Sequence, residues 1–321
     1  MIPALVLTAG LATRLRPLSL VRAKAAMPVA GEPLVRRVLR HLRAEGVGDA
    51  VLNLHHMPHT ITRLVGDGRD LGLSVRYSWE VPILGSAGGP RLALPILRAE
   101  TFLIVNGDTL TTVNVAALVA EHRRTGALVT MAVAADSGPE AAPWTARYGG
   151  VLTDAEGSVT GFAARGSGTP GRHFVGVQVA EAEAFASIAA GAAVESVGAL
   201  YPALIHARPG SVRAHVCPTE FFDIGTAADY LQTSLLLAAR ERAGGPSGDA
   251  VRVAPDARVT DSVLWDDVEI GAGAELHECI VADGARVPEG ATWRRVTVRP
   301  SGSGLAPGER QVGGLAVAPI A

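Results

Sequence analysis

The chain has 321 residues, enough for one large α/β domain with an appendage rather than a single small fold. Hydrophobic residues make up 48% of it and aromatics only 4%, so Val, Leu, Ala and Ile must fill the core. Lys plus Arg (29) nearly balances Asp plus Glu (31), which excludes a basic field for nucleic acid and leaves phosphate binding to a few placed groups.

The N-terminal run MIPALVLTAG leads straight into LATRLRPL, without the basic lead or cleavage site of a signal peptide. Ala4–Leu7 reads as a buried strand that ends in the loop Thr8-Ala9-Gly10. Helical spacing predicts a helix over Leu34–Glu45, closed by Gly46. Strand Asp49–Leu54, a helix containing Thr60–Val65 and strand Ser74–Trp79 follow. Gly85–Pro90 opens a Gly-rich helix, and Thr101–Val105 is a buried strand ending in Asn106-Gly107-Asp108. Helix Val115–Arg124 and strand Leu128–Ala134 continue the alternation. Such alternation predicts an α/β fold with a mostly parallel sheet covered on both faces. Ligands of such sheets sit beyond the carboxyl ends of the strands, so the loops after Leu7 and Val105 are where chemistry is expected.

From about Tyr148 the pattern is less regular, with short strands at Gly150–Thr153, Ser158–Phe162 and Phe174–Val179. Gly166–Gly171 reads as a mobile loop, Ala227–Arg242 as a helix and Ala243–Gly248 as a linker. Beyond it, Val253–Val259, Ile270–Leu276 and Val281–Val287 share one pattern: an aliphatic residue, a small residue four later and another aliphatic at six. A six-residue period is the signature of a parallel β-helix, here of two or three coils. The expected division is residues 1–242, a β-helix over 251–299 and a loosely packed tail over 300–321. No run approaches the ~18 apolar residues of a membrane helix. Cys217 and Cys279 suggest neither a disulfide framework nor a zinc site, and a reduced cytoplasmic protein is expected.

The stretch LTAGLATRLRPLSLVRAKAAMPVAGEPL is the most informative. Backbone N–H groups of a small-residue loop approach phosphate oxygens closely, and nearby cations offset their charge. It is neither a GxxxxGK(S/T) loop nor a GxGxxG fingerprint. On the residues alone, an ordinary surface loop with solvated Arg14, Arg16 and Lys24 stays equally open.

The stretch resembles the signature of the sugar-1-phosphate nucleotidylyltransferases, G-x-G-T-R-L/M-x-P-L/M-T followed by P-K-P and P-V/I. Gly10, Thr13, Arg14, Leu15, Pro17, Leu18, Lys24 and Pro28 match. Glu80 with Leu84-Gly85-Ser86-Ala87-Gly88 is similar to the family's base-binding segment. Val105-Asn106-Gly107-Asp108 resembles its metal-binding strand end, and Phe222-Asp223-Ile224-Gly225-Thr226 with Tyr230 its W-x-D-I-G-T-P-x-x-Y motif. The resemblance implies a Rossmann-like mixed sheet with a C-terminal left-handed β-helix, and transfer of a nucleotidyl group from a nucleoside triphosphate to a sugar 1-phosphate, as in the mannose-1-phosphate guanylyltransferases.

The implied roles follow motif by motif. Arg14 stabilises the triphosphate and the departing pyrophosphate, and Lys24 reaches the α-phosphate and the sugar phosphate. Leu7, Ala9, Gly10, Leu11, Ala12 and Thr13, with Glu80, Gly85, Ala87, Gly88, Asn106 and Gly107, bind the nucleotide. Glu80 accepts from guanine N–H groups in that reading; an exposed residue after a strand is the alternative. Tyr148, Gly149, Arg165 and Gly176 face the sugar phosphate. Asp108 and Asp223 offer hard oxygen ligands to Mg²⁺, the alternatives being a turn residue and a helix N-cap.

The chain departs from the family's pattern in four places. Gly10-Leu11-Ala12 replaces Gly-x-Gly, a small penalty at negative φ and a serious one at positive φ. Ala23-Lys24-Ala25 lacks both prolines that present the lysine. Ala164 and Arg165 stand where glutamate and lysine hold the sugar, and Phe174–Gln178 has lost an asparagine. Two readings follow: an active enzyme, or a non-catalytic relative that binds nucleotide or nucleotide sugar and regulates a partner. A glycosyltransferase lacks support, because no D-x-D motif follows a suitable strand. The open edge of the β-helix predicts a homo-oligomer, and neither a nucleic acid nor a membrane is an expected partner.

Overall fold

The computed structural model describes residues 2–135, 148–241 and 247–320. The chain divides into two compact units, each assembled from separated segments: Met1–Gly10, Val38–Pro58 and Val65–Phe222 in one, Leu11–Arg37, His59–Leu64 and Asp223–Ala321 in the other.

The first unit is built on a seven-stranded sheet of β1 (Ala4–Leu7), β2 (Asp49–Leu54), β3 (Ser74–Trp79), β4 (Thr101–Asn106), β5 (Val129–Ala134), β6 (Phe174–Glu181) and β7 (Val212–Cys217), in the order β7-β5-β6-β4-β1-β2-β3. β1 lies parallel between β2 and β4, which suits the continuous apolar run Ala4-Leu5-Val6, each residue fully buried. β6 runs antiparallel to both its neighbours, β4 and β5, and makes the sheet mixed. The register decides where chemistry can sit. Leu7 pairs with Asn53 on one side and Asn106 on the other, so three strands end level at one edge. Helices α1 (Leu34–Ala44), α2 (Pro58–Val65), α3 (Gly85–Leu97) and α4 (Val115–Thr125) fall in the expected alternation with the strands. Leu5, Val51, Phe102, Ile104, Met131 and Phe185 belong to the main core of this unit. The expected loop at Gly166–Gly171 has no regular structure and is exposed over 166–170.

The second unit is dominated by the β-helix. Its strands stack in three parallel sheets, with register partners 17 residues apart, one short of three hexads. Leu264, Ile270, Leu276, Val281, Val287 and Val298 point inward, as the six-residue period requires. The corners recur at the same spacing in left-handed backbone: Ala250, Asp267 and Gly284 at one, Asp261, Glu278 and Arg295 at another. The exposed face carries a ladder of opposite charges, Arg252 to Glu269 and Glu269 to Arg286. Ahead of the β-helix, α5 (Ala227–Glu241) is capped by Thr226, whose hydroxyl accepts from the Asp229 N–H and donates to its carboxylate.

One expectation is corrected here. The C-terminus is not a loose tail: Arg310–Val312 and Leu315–Pro319 form a hairpin that pairs antiparallel with Val296–Pro300 and buries Leu315, Ala316, Val317 and Ile320. This hairpin extends one β-helix sheet, whereas the other two still end in the strands Arg286–Val287 and Thr292–Arg294. Of the expected linker, residues 243–246 lie outside the described residues. No helix among the described residues is long and apolar enough to cross a membrane.

Candidate functional site

A cavity of about 260 Å³ opens at the level carboxyl ends of β1, β2 and β4, where the sheet geometry calls for a ligand. Leu7, Ala9, Gly10, Glu80, Gly85, Asn106 and Asp108 line it, together with Asn53, Ile83, Ser86 and Glu195. Glu80 is buried, 1% exposed, so the exposed alternative does not hold. Its two carboxylate oxygens accept from Asn53 Nδ2 at 2.7 Å and from the Leu84 N–H at 2.8 Å. Asn53 Oδ1 in turn accepts from the Thr8 N–H at 2.6 Å. One chain of hydrogen bonds therefore ties the loop after β1, the end of β2 and the loop before α3. Glycines make the approach possible. A Cβ at Gly89 would stand 2.5 Å from Glu80 Oε1, and one at Gly107 would stand 2.7 Å from the Leu7 carbonyl.

Also in the lining, Ser86 Oγ donates to Glu195 at 2.6 Å, and Gly85, at φ 76°, leaves no room for a Cβ beside that carboxylate. The amides of Ala87 and Gly88 donate to the Val194 carbonyl, at 2.9 and 3.1 Å. Asp108 occupies the turn after β4 with Gly107, its Oδ1 accepting from the Thr109 hydroxyl at 3.2 Å.

The residues expected near the sugar are spread more widely within the first unit. Gly176, at φ 80°, lies with its backbone against the Asn106 side chain. Tyr148, His173 and Phe221 form one aromatic cluster, with ring centroids 4.4 Å from His173 to each of the others and 5.6 Å between Tyr148 and Phe221. Burial pushes the His173 imidazole down to about 4, so it is neutral at pH 7. Gly149 lies close to the Ala163 carbonyl, and Arg165 is exposed in the turn that follows strand Val159–Ala163.

The second unit holds the expected cations and the other aspartate. Ala12 adopts φ 48°, ψ 46°, left-handed backbone in a residue with a Cβ, and its carbonyl accepts from the Ser19 hydroxyl at 3.0 Å. Leu11, Thr13 and Arg14 beside it are exposed. Asp223 ends strand Phe221–Asp223, and since Thr226 caps α5, the N-cap alternative for Asp223 falls away. Arg14 and Asp223 meet at Gly225, where a Cβ would stand 3.4 Å from Arg14 Nη1 and 3.0 Å from Asp223 Oδ2. Lys24 opens a short 3₁₀ turn, Lys24–Ala26. Ala23 before it takes φ −56°, ψ 145°, the conformation of the missing proline, and its N–H donates to Thr60 Oγ1 at 3.2 Å. That bond is one a proline cannot make.

Asp108 in the first unit and Asp223 in the second are each a hard oxygen donor of the kind magnesium takes. Mg²⁺ is commonly held by one or two carboxylates, with substrate phosphates and water completing its octahedron.

Asn53, Ile83 and Glu195 line the cavity without having been singled out in the sequence, and Ser86 lines it as a member of the motif with no role of its own assigned. Asn53 carried a signal, a polar residue in the otherwise apolar end of AVLNL on a strand that ends beside Leu7. Glu195 carried none, because it lies 109 positions from its partner Ser86.

The family model for nucleotidyl transferases matches residues 3–239, and one for the GlmU-like C-terminal hexapeptide matches residues 247–293. The chain is 30% identical over 306 residues to a mannose-1-phosphate guanylyltransferase of Mycobacterium tuberculosis, covering 92% of this chain and 83% of that one. It is 27% identical to a UTP–glucose-1-phosphate uridylyltransferase of Synechocystis, over 83% of this chain and 71% of that protein. An N-acetylmuramate alpha-1-phosphate uridylyltransferase of Neisseria meningitidis is 38% identical over a shorter stretch, 35% of this chain and 48% of the relative. Among solved structures, HddC from Yersinia pseudotuberculosis superposes with a TM-score of 0.64 at 20% identity, over 74% of this chain and 100% of HddC, a likeness of fold. Matched across residues 3–239 and completed by hexapeptide repeats, the chain belongs to the nucleotidyl transferase family.

Proposed function

We propose that the protein condenses a nucleoside triphosphate with a sugar 1-phosphate to give a nucleotide sugar and pyrophosphate, with GTP and mannose 1-phosphate or a related sugar as its substrates. The observation that carries this reading is the cavity at the ends of β1, β2 and β4, with Glu80 and Glu195 in its wall and Asp108 at its rim. In the proposed reaction an oxygen of the sugar phosphate attacks the α-phosphorus, and the bond to the bridging oxygen breaks. Pyrophosphate leaves with the bonding electrons. No general base is required, because the attacking oxygen is already anionic. Asp108 and Asp223 would each offer a carboxylate to Mg²⁺, and the ion would supply neutralising charge to the phosphates. Arg14 offsets the charge of the departing pyrophosphate, and Lys24 orients the α-phosphate. Relatives named for guanylyl and uridylyl transfer support the reaction class and leave the base to be tested. Assembly into a homo-oligomer through the β-helix belongs to the same proposal, and light scattering in solution tests it.

A second reading has its own support. Arg165 and Ala164 are both exposed where the family carries lysine and glutamate, which favours a binding protein that regulates a partner. One panel separates the two: pyrophosphate release from four triphosphates against several sugar 1-phosphates with Mg²⁺. Turnover with one pair supports the enzyme, and Asp108→Asn then lowers kcat at least ~100-fold. Silence across the panel, with nucleotide still raising the melting temperature, supports the regulator.

A further inference from the structure

Arg22 lies between Arg14 and Lys24 in the sequence but is engaged by the β-helix. Its Nε and Nη2 donate to the two carboxylate oxygens of Asp283 at 2.6 and 2.7 Å, and Nη2 also donates to Asp266. The guanidinium carbon sits 5.5 Å over the ring of Trp265. Asp266 and Asp283 are the same position on successive coils, 17 residues apart, and the Asp266 N–H donates to Asp283 Oδ1 at 3.1 Å. The Arg22 side chain is only 11% exposed, whereas Arg252 of the outer ladder is 62% exposed. Exposed pairs of that second kind add little. A buried pair adds little net stability either, since desolvation offsets its attraction, but a bidentate fork fixes orientation.

The same β-helix turn holds the far end of the segment. Trp265 Nε1 donates to the Tyr230 hydroxyl at 2.8 Å, and that hydroxyl donates to the Pro28 carbonyl. Between these anchors the Ala23 N–H is bound by Thr60, and Ala25 and Ala26 are buried. Lys24 is thus the partly exposed residue of a turn pinned on both sides.

We propose that Arg22 is a positioning residue through which two stacked coils of the β-helix set the place of Lys24, making the β-helix part of the transfer machinery. The inference rests on the role proposed above for Lys24. The test uses the full chain with the triphosphate and sugar phosphate that the wild type turns over. Variants are Arg22→Met, Arg22→Lys and the triple Arg22→Met/Asp266→Asn/Asp283→Asn, which removes all three charges of the cluster, each with and without Lys24→Ala. The triple should melt within a few degrees of wild type yet lose about tenfold in kcat with little change in KM for the triphosphate. Arg22→Lys should recover part of that loss. Lys24→Ala should cost less in the triple than in the wild type, because a misplaced lysine has less to lose. Wild-type kcat in the triple, or full additivity with Lys24→Ala, overturns the proposal. If the wild type turns over no substrate, the functional reading fails, and amide exchange across residues 22–28 decides the anchoring. Exchange accelerated in the triple supports the clamp, and unchanged protection overturns it.

Discussion

Ala12 shows how a single backbone angle stays hidden in a sequence. Its replacement of a family glycine leaves the penalty's size open until φ is known, and φ is 48°. An L-residue in left-handed backbone costs roughly 1–2 kcal/mol, partly offset by the smaller entropy of the unfolded chain with alanine. Ala12→Gly should therefore stabilise the protein by a net ~0.5 kcal/mol, measured as a higher urea midpoint at unchanged slope. A lower midpoint would show that the strain is absorbed elsewhere. Glu80 teaches the same lesson through a partner. A glutamate after a strand reads as exposed, and only the 27-residue reach to Asn53 buries it. Residue types identify the candidates, whereas burial and hydrogen bonding depend on chain segments that a linear reading cannot bring together.

At the scale of elements, apolar runs and periods were legible wherever burial is continuous. β1, β2 and β3 span the residues expected of them, and the hexads locate the β-helix because every coil repeats the same inward demand. The C-terminal hairpin was not legible, since Gly and Pro in SGSGLAPGER mask a strand pair held by one buried ion pair. Arg299, 1% exposed, donates from Nε to Glu309 Oε1 at 2.8 Å, and a second nitrogen donates to the Gly304 carbonyl at 2.6 Å. Removing one partner leaves a buried charge alone, at a cost of about 3–5 kcal/mol. Glu309→Ala should lower the unfolding free energy by that order, whereas Arg299→Met/Glu309→Leu should lose much less. Equal losses in both would mean that packing, not charge, holds the hairpin.

For the whole molecule, the division into compact units cuts across the order of the chain. Residues 11–37, which carry Arg14 and Lys24, cluster with 223–321 rather than with the strand that precedes them. A linear reading places a boundary where composition changes, near the hexads, and cannot see that an early loop is completed by late coils. This arrangement makes a specific demand on truncation. A chain ending at Glu241 keeps Arg22 and Tyr230 but loses Asp266, Asp283 and Trp265, leaving a buried guanidinium without its carboxylates and a phenol without the indole that donates to it. Burying an unpaired cation is costly, so the segment must open to water. The truncated chain should express poorly or show rapid amide exchange over 11–37, with turnover at least ~100-fold below the full chain. Supplying residues 247–321 as a separate peptide should restore part of the protection. A soluble chain ending at Glu241 with wild-type turnover and a protected 11–37 segment would show that this loop is ordered without the coils, and that the hexapeptide repeats serve some purpose other than completing it.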